Sequence, residues 1–211
     1  SSCKMTEVKA NICGIILAAG ISSRMGKTKQ LLLYKGSPIL SHVMKNALAS
    51  NLSSVIVVLG HDAEKIKKNI DFSLVCPVLN RGYKTGQASS LKKGLKAVTG
   101  PCDGAMFLLG DQPRVDKSVI NTLINALLTS DDSIIIPCYR KKRGNPVIIA
   151  EDLFPEINDL DGDTGARVLF KKYKNNILKI NINDPAILVD VDTPEDYKKL
   201  NDTVFYSDNF R

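Results

Sequence analysis

The sequence predicts an α/β fold in which a mostly parallel sheet is covered by helices on both faces. Short, near-continuous apolar runs alternate with amphipathic stretches through the first half of the chain. This alternation is typical of doubly wound sheets, whose strands are buried on both sides. The 211 residues, with 44% hydrophobic content, are enough for one domain with a substantial core.

Four strand–helix pairs are predicted in the first half. The strands are apolar runs at residues 12–18, 55–59, 72–79 and 105–109. The helices are amphipathic stretches at residues 38–49, 63–70, 88–98 and 117–128. Ser37 and Pro38 form a start signal for the first helix, because serine caps helix N-termini and proline fits the first helical position.

The pattern loosens in the second half. Two strands, 133–139 and 146–149, flank the basic turn 140–145 and predict a short hairpin excursion. A helix at 165–173, strands at 177–182 and 187–191 and a helix at 193–200 follow. Thr193 is the predicted cap of the last helix, with Pro194 at its first position. We expect a single domain at 11–203, with tails at 1–10 and 204–211.

The composition restricts the partners and the location. The net charge of +7 favours an anionic partner. The basic clusters are short and lack an aromatic-rich motif, so we do not expect nucleic acid to be that partner. Five cysteines, an odd number without metal-ligand spacing, indicate a reduced, cytoplasmic protein. No apolar stretch is long enough to predict a membrane span.

The stretch LAAGISSRMGKTKQ, residues 17–30, follows the first predicted strand. It ends like a Walker A loop, but five residues instead of four separate Gly20 from Gly26, so the spacing excludes that motif. Arg24 can fork onto phosphate oxygens and Lys29 adds a mobile positive charge. The loop therefore predicts a triphosphate site, with an ordinary Gly-Ser turn as the alternative.

Carboxylates and a serine follow other predicted strands. Asp111 lies just past the strand 105–109, where it can hold Mg²⁺ together with substrate phosphates. Asp192 is either a second metal ligand or a favourable charge before a helix. Ser90 either contacts a base or ribose or only satisfies backbone groups in the first turn of its helix.

Six segments in series resemble the MobA-like NTP transferases, and among them the molybdenum cofactor cytidylyltransferases most: LAAGISSRMGKTKQLL, NRGYKTGQASSLKKGL, LLGDQP, RGNPVII, DGDTGAR and VDVDTPEDY. The resemblance implies a Rossmann-like nucleotide-binding fold. It also implies Mg²⁺-dependent transfer of CMP from CTP to the phosphate of molybdopterin, the organic part of the molybdenum cofactor, with release of pyrophosphate.

The resemblance also implies roles for individual residues. Gly20, Ser22, Arg24 and Lys29 would hold the triphosphate, with Arg24, Lys29 and Asp111 acting in catalysis. The remaining nucleotide-binding positions would be Leu17, Ala18, Ala19, Gly86 and Ser90. Asp111 and Asp192 would bind the metal, and the second substrate would face Arg143, Asn145, Pro146 and Asp163.

Two positions bear on the choice of base. Relatives that use GTP typically carry a second glycine where this chain has Ala19, so the resemblance implies CTP. Gln87 departs from the apolar residue that these relatives usually carry.

Two other functions stay open at this stage. One is a nucleotidyltransferase that acts on a sugar or polyol phosphate with the same loop. The other is a non-catalytic carrier that delivers molybdopterin to an apo molybdenum hydroxylase.

Overall fold

Eight strands form one mixed sheet in the computed structural model, which describes residues 10–208 and side chains up to residue 202. Two further strands form a separate hairpin. Along the described chain the strands are β1 (Ile12–Ala18), β2 (Leu33–Tyr34), β3 (Ser37–Pro38), β4 (Ser54–Leu59), β5 (Cys76–Leu79), β6 (Gly104–Leu109), β7 (Ile134–Tyr139), β8 (Lys142–Arg143), β9 (Val147–Ala150) and β10 (Ile177–Asn181).

The sheet has the order β10-β7-β9-β6-β1-β4-β5, and β8 pairs with β7 alone. The central strand β1 is parallel to β4 and β6. Only β9 in this seven-strand path runs the other way, because it pairs antiparallel with both β6 and β7. The carboxyl ends of β1, β4, β5, β6, β7 and β10 therefore meet at one edge, which is where open α/β sheets bind ligands.

Helices cover both faces of the sheet. In the described chain they are α1 (Ile39–Leu48), α2 (Ala63–Asn69), α3 (Gln87–Lys96), α4 (Lys117–Leu128), α5 (Phe154–Asn158), α6 (Arg167–Lys172) and α7 (Pro194–Asp208). Successive residues of a strand point to opposite faces, so Ile16 packs in the same core as α1, α2 and α4. Ile15 packs in the other core with α3, α5 and α6. This arrangement confirms the predicted doubly wound sheet.

Two predicted elements were wrong. The segment 187–191 pairs with no strand, and its first two residues end the short 3-10 helix Pro185–Leu188. The Asp184 side chain caps that helix by accepting a hydrogen bond from the Ala186 amide at 2.8 Å. Ser37 does not cap α1 with its side chain. The dipeptide Ser37–Pro38 is extended as β3, which pairs with β2, and the helix starts at Ile39.

Other boundaries differ in ways that local hydrogen bonds explain. The third strand of the core begins only at Cys76, because the Asp71 side chain accepts a hydrogen bond from the Ser73 amide and forms a turn. The helix α5 was not predicted, since its five residues are too few to show a helical period. The predicted hairpin excursion is present, with Arg140 and Lys141 at positive φ in its turn.

The predicted tails are mostly outside the described side chains. Of the N-terminal tail, 1–10, only Ala10 is described. At the other end, α7 continues past residue 203 to Asp208, and the remainder of the predicted tail 204–211 lies outside the described residues. Within the part of the chain that the structure covers, no helix is long and apolar enough to cross a bilayer.

A close approach of α3 to the sheet gives a stability prediction. A side-chain carbon on Gly94 in α3 would lie 2.3 Å from Cγ2 of Ile15, which is fully buried in β1. Gly94→Val should lower the free energy of unfolding by about 3 kcal/mol, because neither strand nor helix can move apart cheaply. Urea unfolding measures this. Lys93→Ala, at the exposed neighbouring position, is the control and should change stability little; equal stability of both variants would contradict the packing argument.

Candidate active site

The carboxyl ends of β1 and β6 open into a cavity of about 730 Å³. The strands are hydrogen-bonded neighbours with Leu17 opposite Leu109, so the segments that follow them emerge side by side. The cavity brings together all the residues predicted to bind nucleotide or metal, together with Asp163: Leu17, Ala18, Ala19, Gly20, Ser22, Arg24, Lys29, Gly86, Ser90, Asp111 and Asp192. We name it the nucleotide cavity, for the predicted ligand of these residues.

The loop after β1 folds back on itself in a tight turn. The carbonyl of Ser22 accepts hydrogen bonds from the amides of Met25 at 3.0 Å and Gly26 at 3.2 Å. Both Ser22 and Gly26 have positive φ, which glycine adopts without strain and serine only rarely. This turn holds the exposed Arg24 at its tip and directs the chain back toward Lys29.

Two side chains that the sequence did not single out hold this loop. Gln30 is buried, and its Nε2 donates a hydrogen bond to the carbonyl of Ala18 at 3.0 Å. The hydroxyl of Thr28 donates to the carboxylate of Asp62 at the start of α2. No sequence signal marked either contact, because each joins residues whose pairing depends on the tertiary fold.

Lys29 joins the two predicted metal ligands. Its ammonium lies 2.5 Å from Oδ2 of Asp111 and 2.7 Å from Oδ1 of Asp192. Arg24 binds the other oxygen, Oδ2, of Asp192 at 2.8 Å. Lys29 and Asp111 are 15% and 13% exposed, whereas Arg24 is 69% exposed. The result is a cluster of two cations and two carboxylates with its inner pair largely withdrawn from water.

Burial and charge change the protonation of this cluster. Burial alone would lower the pKa of Lys29, but the carboxylates of Asp111 and Asp192 outweigh burial and raise it, so the ammonium stays charged. Burial raises the pKa of Asp111, and Lys29 opposes that rise. Burial, followed by the charge of Asp111, raises the pKa of the nearby Asp190 to about 6, against a hydrogen bond from Gln112.

The segment before α7 holds Asp192 in place. The Asp196 carboxylate accepts hydrogen bonds from the amides of Asp192 at 3.2 Å and Thr193 at 2.9 Å. The amide of Val191 donates to the carbonyl of Asp111 at 3.1 Å. A backbone hydrogen bond therefore joins the segments that carry Asp111 and Asp192. Asp192 also pairs with Arg24 and Lys29, so its charge does more than precede a helix.

The opposite wall of the nucleotide cavity is the start of α3. Ser90 is buried, and its hydroxyl accepts a hydrogen bond from the amide group of Asn80 at 3.1 Å. A side-chain carbon on Gly86 would lie 2.2 Å from the carbonyl oxygen of Gly162, so only glycine fits there. Asp163 lies at the same wall, where its Oδ1 accepts a hydrogen bond from the backbone amide of Gln87 at 3.3 Å.

A second cavity of about 250 Å³ adjoins the first, and we name it the acceptor cavity. Of the residues predicted to face a second substrate, it contains Arg143 and Asn145. The structure places the other two elsewhere. Asp163 lines the nucleotide cavity. Pro146 is buried and lines a different, small pocket. Val43 lines the same pocket and belongs to the core cluster on the other face of the sheet.

The donor atoms of the nucleotide cavity fit a divalent cation. Oδ1 of Asp111 is buried and accepts no hydrogen bond within the described chain. Among the described residues, no group of three or more His, Cys, Asp or Glu side chains is arranged to hold a metal ion by itself. Mg²⁺ and similar hard cations need only one or two carboxylates when substrate phosphates supply further oxygens. Asp111 and Asp192 are therefore suited to a cation that arrives with a nucleotide.

Residues 14–177 match the MobA-like NTP transferase domain. The chain belongs to this family. The matched range includes β1 and β6, whose carboxyl ends open into the nucleotide cavity, and the chain has the α/β nucleotidyltransferase fold.

Relatives of this nucleotidyltransferase carry diverse names. This chain is 31% identical over 196 residues to the purine catabolism protein PucB of Bacillus subtilis, and the match covers 88% of this chain and 94% of PucB. It is 27% identical to nicotine blue oxidoreductase of Paenarthrobacter nicotinovorans, covering 90% and 96%. It is 26% identical to the molybdenum cofactor cytidylyltransferase of Escherichia coli, covering 87% and 92%.

A solved structure supports the fold and the presence of a metal in a similar protein. Rv0371c of Mycobacterium tuberculosis superimposes with a TM-score of 0.83 at 27% identity, covering 92% of this chain and 99% of that one. A structure of the same mycobacterial protein in complex with manganese gives a TM-score of 0.79, covering 92% and 100%.

The raised pKa of Asp190 predicts a pH effect on stability. An unfolded Asp titrates near pH ~4, whereas in the folded protein Asp190 holds its proton to about pH 6. Its contribution to stability is therefore complete below about pH 4 and is lost as the pH rises through 6. Urea unfolding is measured with a metal chelator in the buffer. Between pH 4 and 7 the free energy of unfolding of Asp190→Asn should fall less than that of wild type. The exposed Asp131→Asn is the control; parallel curves for wild type and Asp190→Asn would refute the assignment.

Proposed function

We propose that this nucleotidyltransferase transfers CMP from CTP to the phosphate of molybdopterin, with Mg²⁺ as its cofactor and pyrophosphate as the second product. The observation that carries the proposal is the cluster of Arg24, Lys29, Asp111 and Asp192 inside the nucleotide cavity. Its two cations suit a triphosphate and its two carboxylates suit the cation that a triphosphate brings. The similarity to a molybdenum cofactor cytidylyltransferase supports the choice of substrates.

The chemistry needs no general base. An oxygen of the phosphate monoester attacks the α-phosphate of CTP, and a phosphate oxygen at neutral pH has no proton that must first be removed. Catalysis then consists of positioning the two substrates in line and neutralising the charge that develops on the departing pyrophosphate. A bound divalent cation supplies part of this neutralisation as a Lewis acid.

The chain's own cations supply the rest. Arg24 lies on the exposed tip of the loop and reaches the outer oxygen of Asp192, so its fork can take up phosphate oxygens as they arrive. Lys29 lies deeper, and its ammonium stays charged because two carboxylates raise its pKa. Both groups are fixed before the substrate enters, so little reorganisation is needed as charge builds on the leaving group.

The preference for CTP rests on the wall of the nucleotide cavity after β1. Ala19 is buried and lines the nucleotide cavity. We infer that its methyl group leaves less room beside a base than the hydrogen of a glycine would. A pyrimidine is smaller than a purine and is favoured by that constriction.

The other candidates explain the site less well. A carrier that only binds molybdopterin has no use for a cation pair next to a carboxylate pair. A sugar-phosphate enzyme would use the same cluster, but the similarity to a molybdenum cofactor cytidylyltransferase over 87% of this chain favours molybdopterin as the acceptor. We further infer delivery of the product to an apo molybdenum hydroxylase. A cytoplasmic location is supported by the free thiols of Cys13, Cys76, Cys102 and Cys138.

Removing one metal ligand tests the metal assignment. Asp111→Asn keeps the shape of the side chain and removes its charge, so we expect the fold to persist and turnover to fall by at least about 100-fold. Pyrophosphate release gives the rate, and Mn²⁺ electron paramagnetic resonance in the presence of CTP gives cation binding. Asp131→Asn is again the matched control. Turnover and Mn²⁺ binding near wild type would show that Asp111 is not the ligand.

Competition between nucleotides tests the base assignment. Wild type, given equal CTP and GTP with Mg²⁺ and molybdopterin, should use CTP about 10- to 200-fold better, the range that one methyl group in a pocket can supply. Ala19→Gly should reduce that ratio. Equal use of both nucleotides by wild type would reject cytidylyl transfer. A preference that persists unchanged in Ala19→Gly would reject only the explanation from the methyl group.

A further inference from the structure

The nucleotide cavity and the acceptor cavity share part of their walls. Four residues line both of them: Leu17, Gln87, Leu109 and Arg167. Three of these are uncharged, so Arg167 is the one cation that faces both cavities among the described residues. An acceptor that lies in one cavity and reacts with a nucleotide in the other must place its reacting group beside this wall.

Backbone contacts hold the loop that precedes Arg167. The loop 161–166 that precedes it packs directly on the start of α3, where the Ala88 amide donates a hydrogen bond to the Gly162 carbonyl at 3.2 Å. A side-chain carbon on Gly165 would lie 2.3 Å from Oε1 of Gln87. A side-chain carbon on Gly86 would likewise lie 2.2 Å from the carbonyl oxygen of Gly162. The loop 161–166 and the start of α3 are therefore too close for a larger residue at either glycine. The backbone that leads into Arg167 is thus held against the start of α3, and the Arg167 side chain lines both cavities.

The charge of Arg167 is available to a ligand. Arg24 and Lys29 are engaged with the carboxylates of Asp111 and Asp192. Arg167 is exposed, and within residues 10–202 its guanidinium takes part in no hydrogen bond or ion pair. A guanidinium without a partner presents its donors in a fork that matches phosphate oxygens.

The remainder of the acceptor cavity has a mostly polar surface. Its polar side chains are Gln87, Arg143 and Asn145, and its apolar residues Leu91, Phe107 and Val147 are buried. At one side Arg143 stacks its guanidinium over the ring of Phe170, with 4.8 Å between the guanidinium carbon and the ring centroid. Guanidinium and amide groups of this kind suit a polar or anionic ligand. Under the proposed function, the phosphate of the acceptor lies toward Arg167.

We propose that Arg167 binds the phosphate monoester of the acceptor at the boundary between the two cavities and presents one of its oxygens to the nucleotide. This inference rests on the proposed function and adds a residue to it. In the transfer step, that oxygen forms a bond to the α-phosphorus while the bond from the α-phosphorus to the bridging oxygen of the β-phosphate breaks. The electron pair of the broken bond leaves with pyrophosphate, and nothing is oxidised or reduced.

Binding of two matched probes tests the role of Arg167 without turnover. The probes are a fluorescent pterin that carries a phosphate monoester and the same pterin without it, titrated into the full chain without nucleotide. Wild type should bind the phosphorylated probe about 10- to 100-fold more tightly, as expected for charge-assisted hydrogen bonds. Arg167→Gln should abolish that preference and leave binding of the unphosphorylated probe unchanged. Arg167→Lys should restore part of it, and Arg140→Gln, an exposed arginine that lines neither cavity, should match wild type.

Unchanged binding of the unphosphorylated probe shows that Arg167→Gln is folded. A phosphate preference that survives in Arg167→Gln, or that is absent from wild type, overturns the inference. Pyrophosphate release from CTP and molybdopterin is measured in parallel and tests the proposed function separately. An Arg167-dependent preference without pyrophosphate release rejects the transfer reaction and keeps the anion site. Pyrophosphate release with the same KM for molybdopterin in wild type and Arg167→Gln rejects the site and keeps the reaction.

Discussion

The ion pair between Lys29 and Asp111 is the interaction on which the rest of the site depends. Both groups are largely withdrawn from water, so each would be costly to bury without the other. Lys29 also binds Asp192, and the three residues come from the loop after β1, the end of β6 and the segment before α7. A displacement of any one segment would leave a partly buried charge without its partner. The cluster therefore holds three distant parts of the chain in one arrangement.

The sheet topology explains how the acceptor residues reach the same edge. The strand β9 runs antiparallel between β6 and β7, and its first residue, Val147, pairs with Phe107 near the carboxyl end of β6. The turn before β9 therefore lies at the carboxyl edge, where β7 ends and β9 begins. A parallel strand at this position would begin at the opposite edge and would take Asn145, which lies just before it, away from the site. One reversed strand thus allows a second cavity to adjoin the first.

Residues that the sequence identified and those that it missed differ in a physical way. Arg24 and Lys29 lie in the loop after β1, and Asp111 lies just past β6. The rule that ligands bind at the carboxyl ends of strands is local enough to read from sequence. Gln30 and Asp62 hold the loop through contacts with residues far along the chain, and no period or spacing reveals such contacts. The segment 187–191 is apolar enough for a strand but has no neighbouring strand to pair with, a property that only the assembled sheet decides.

The distribution of charge within the site agrees with two substrates of different kinds. The cations on the nucleotide side, Arg24 and Lys29, are already neutralised by Asp111 and Asp192. Under the proposed function that side receives a nucleotide together with a divalent cation, so part of the triphosphate charge is compensated before it arrives. A monoester acceptor brings no such cation. Its negative charge would have to be met by an arginine without a carboxylate partner, and Arg167 is placed where that charge would lie. Hence the net charge of +7 is a poor guide to the site, because the pairing of each cation decides which anion it can bind.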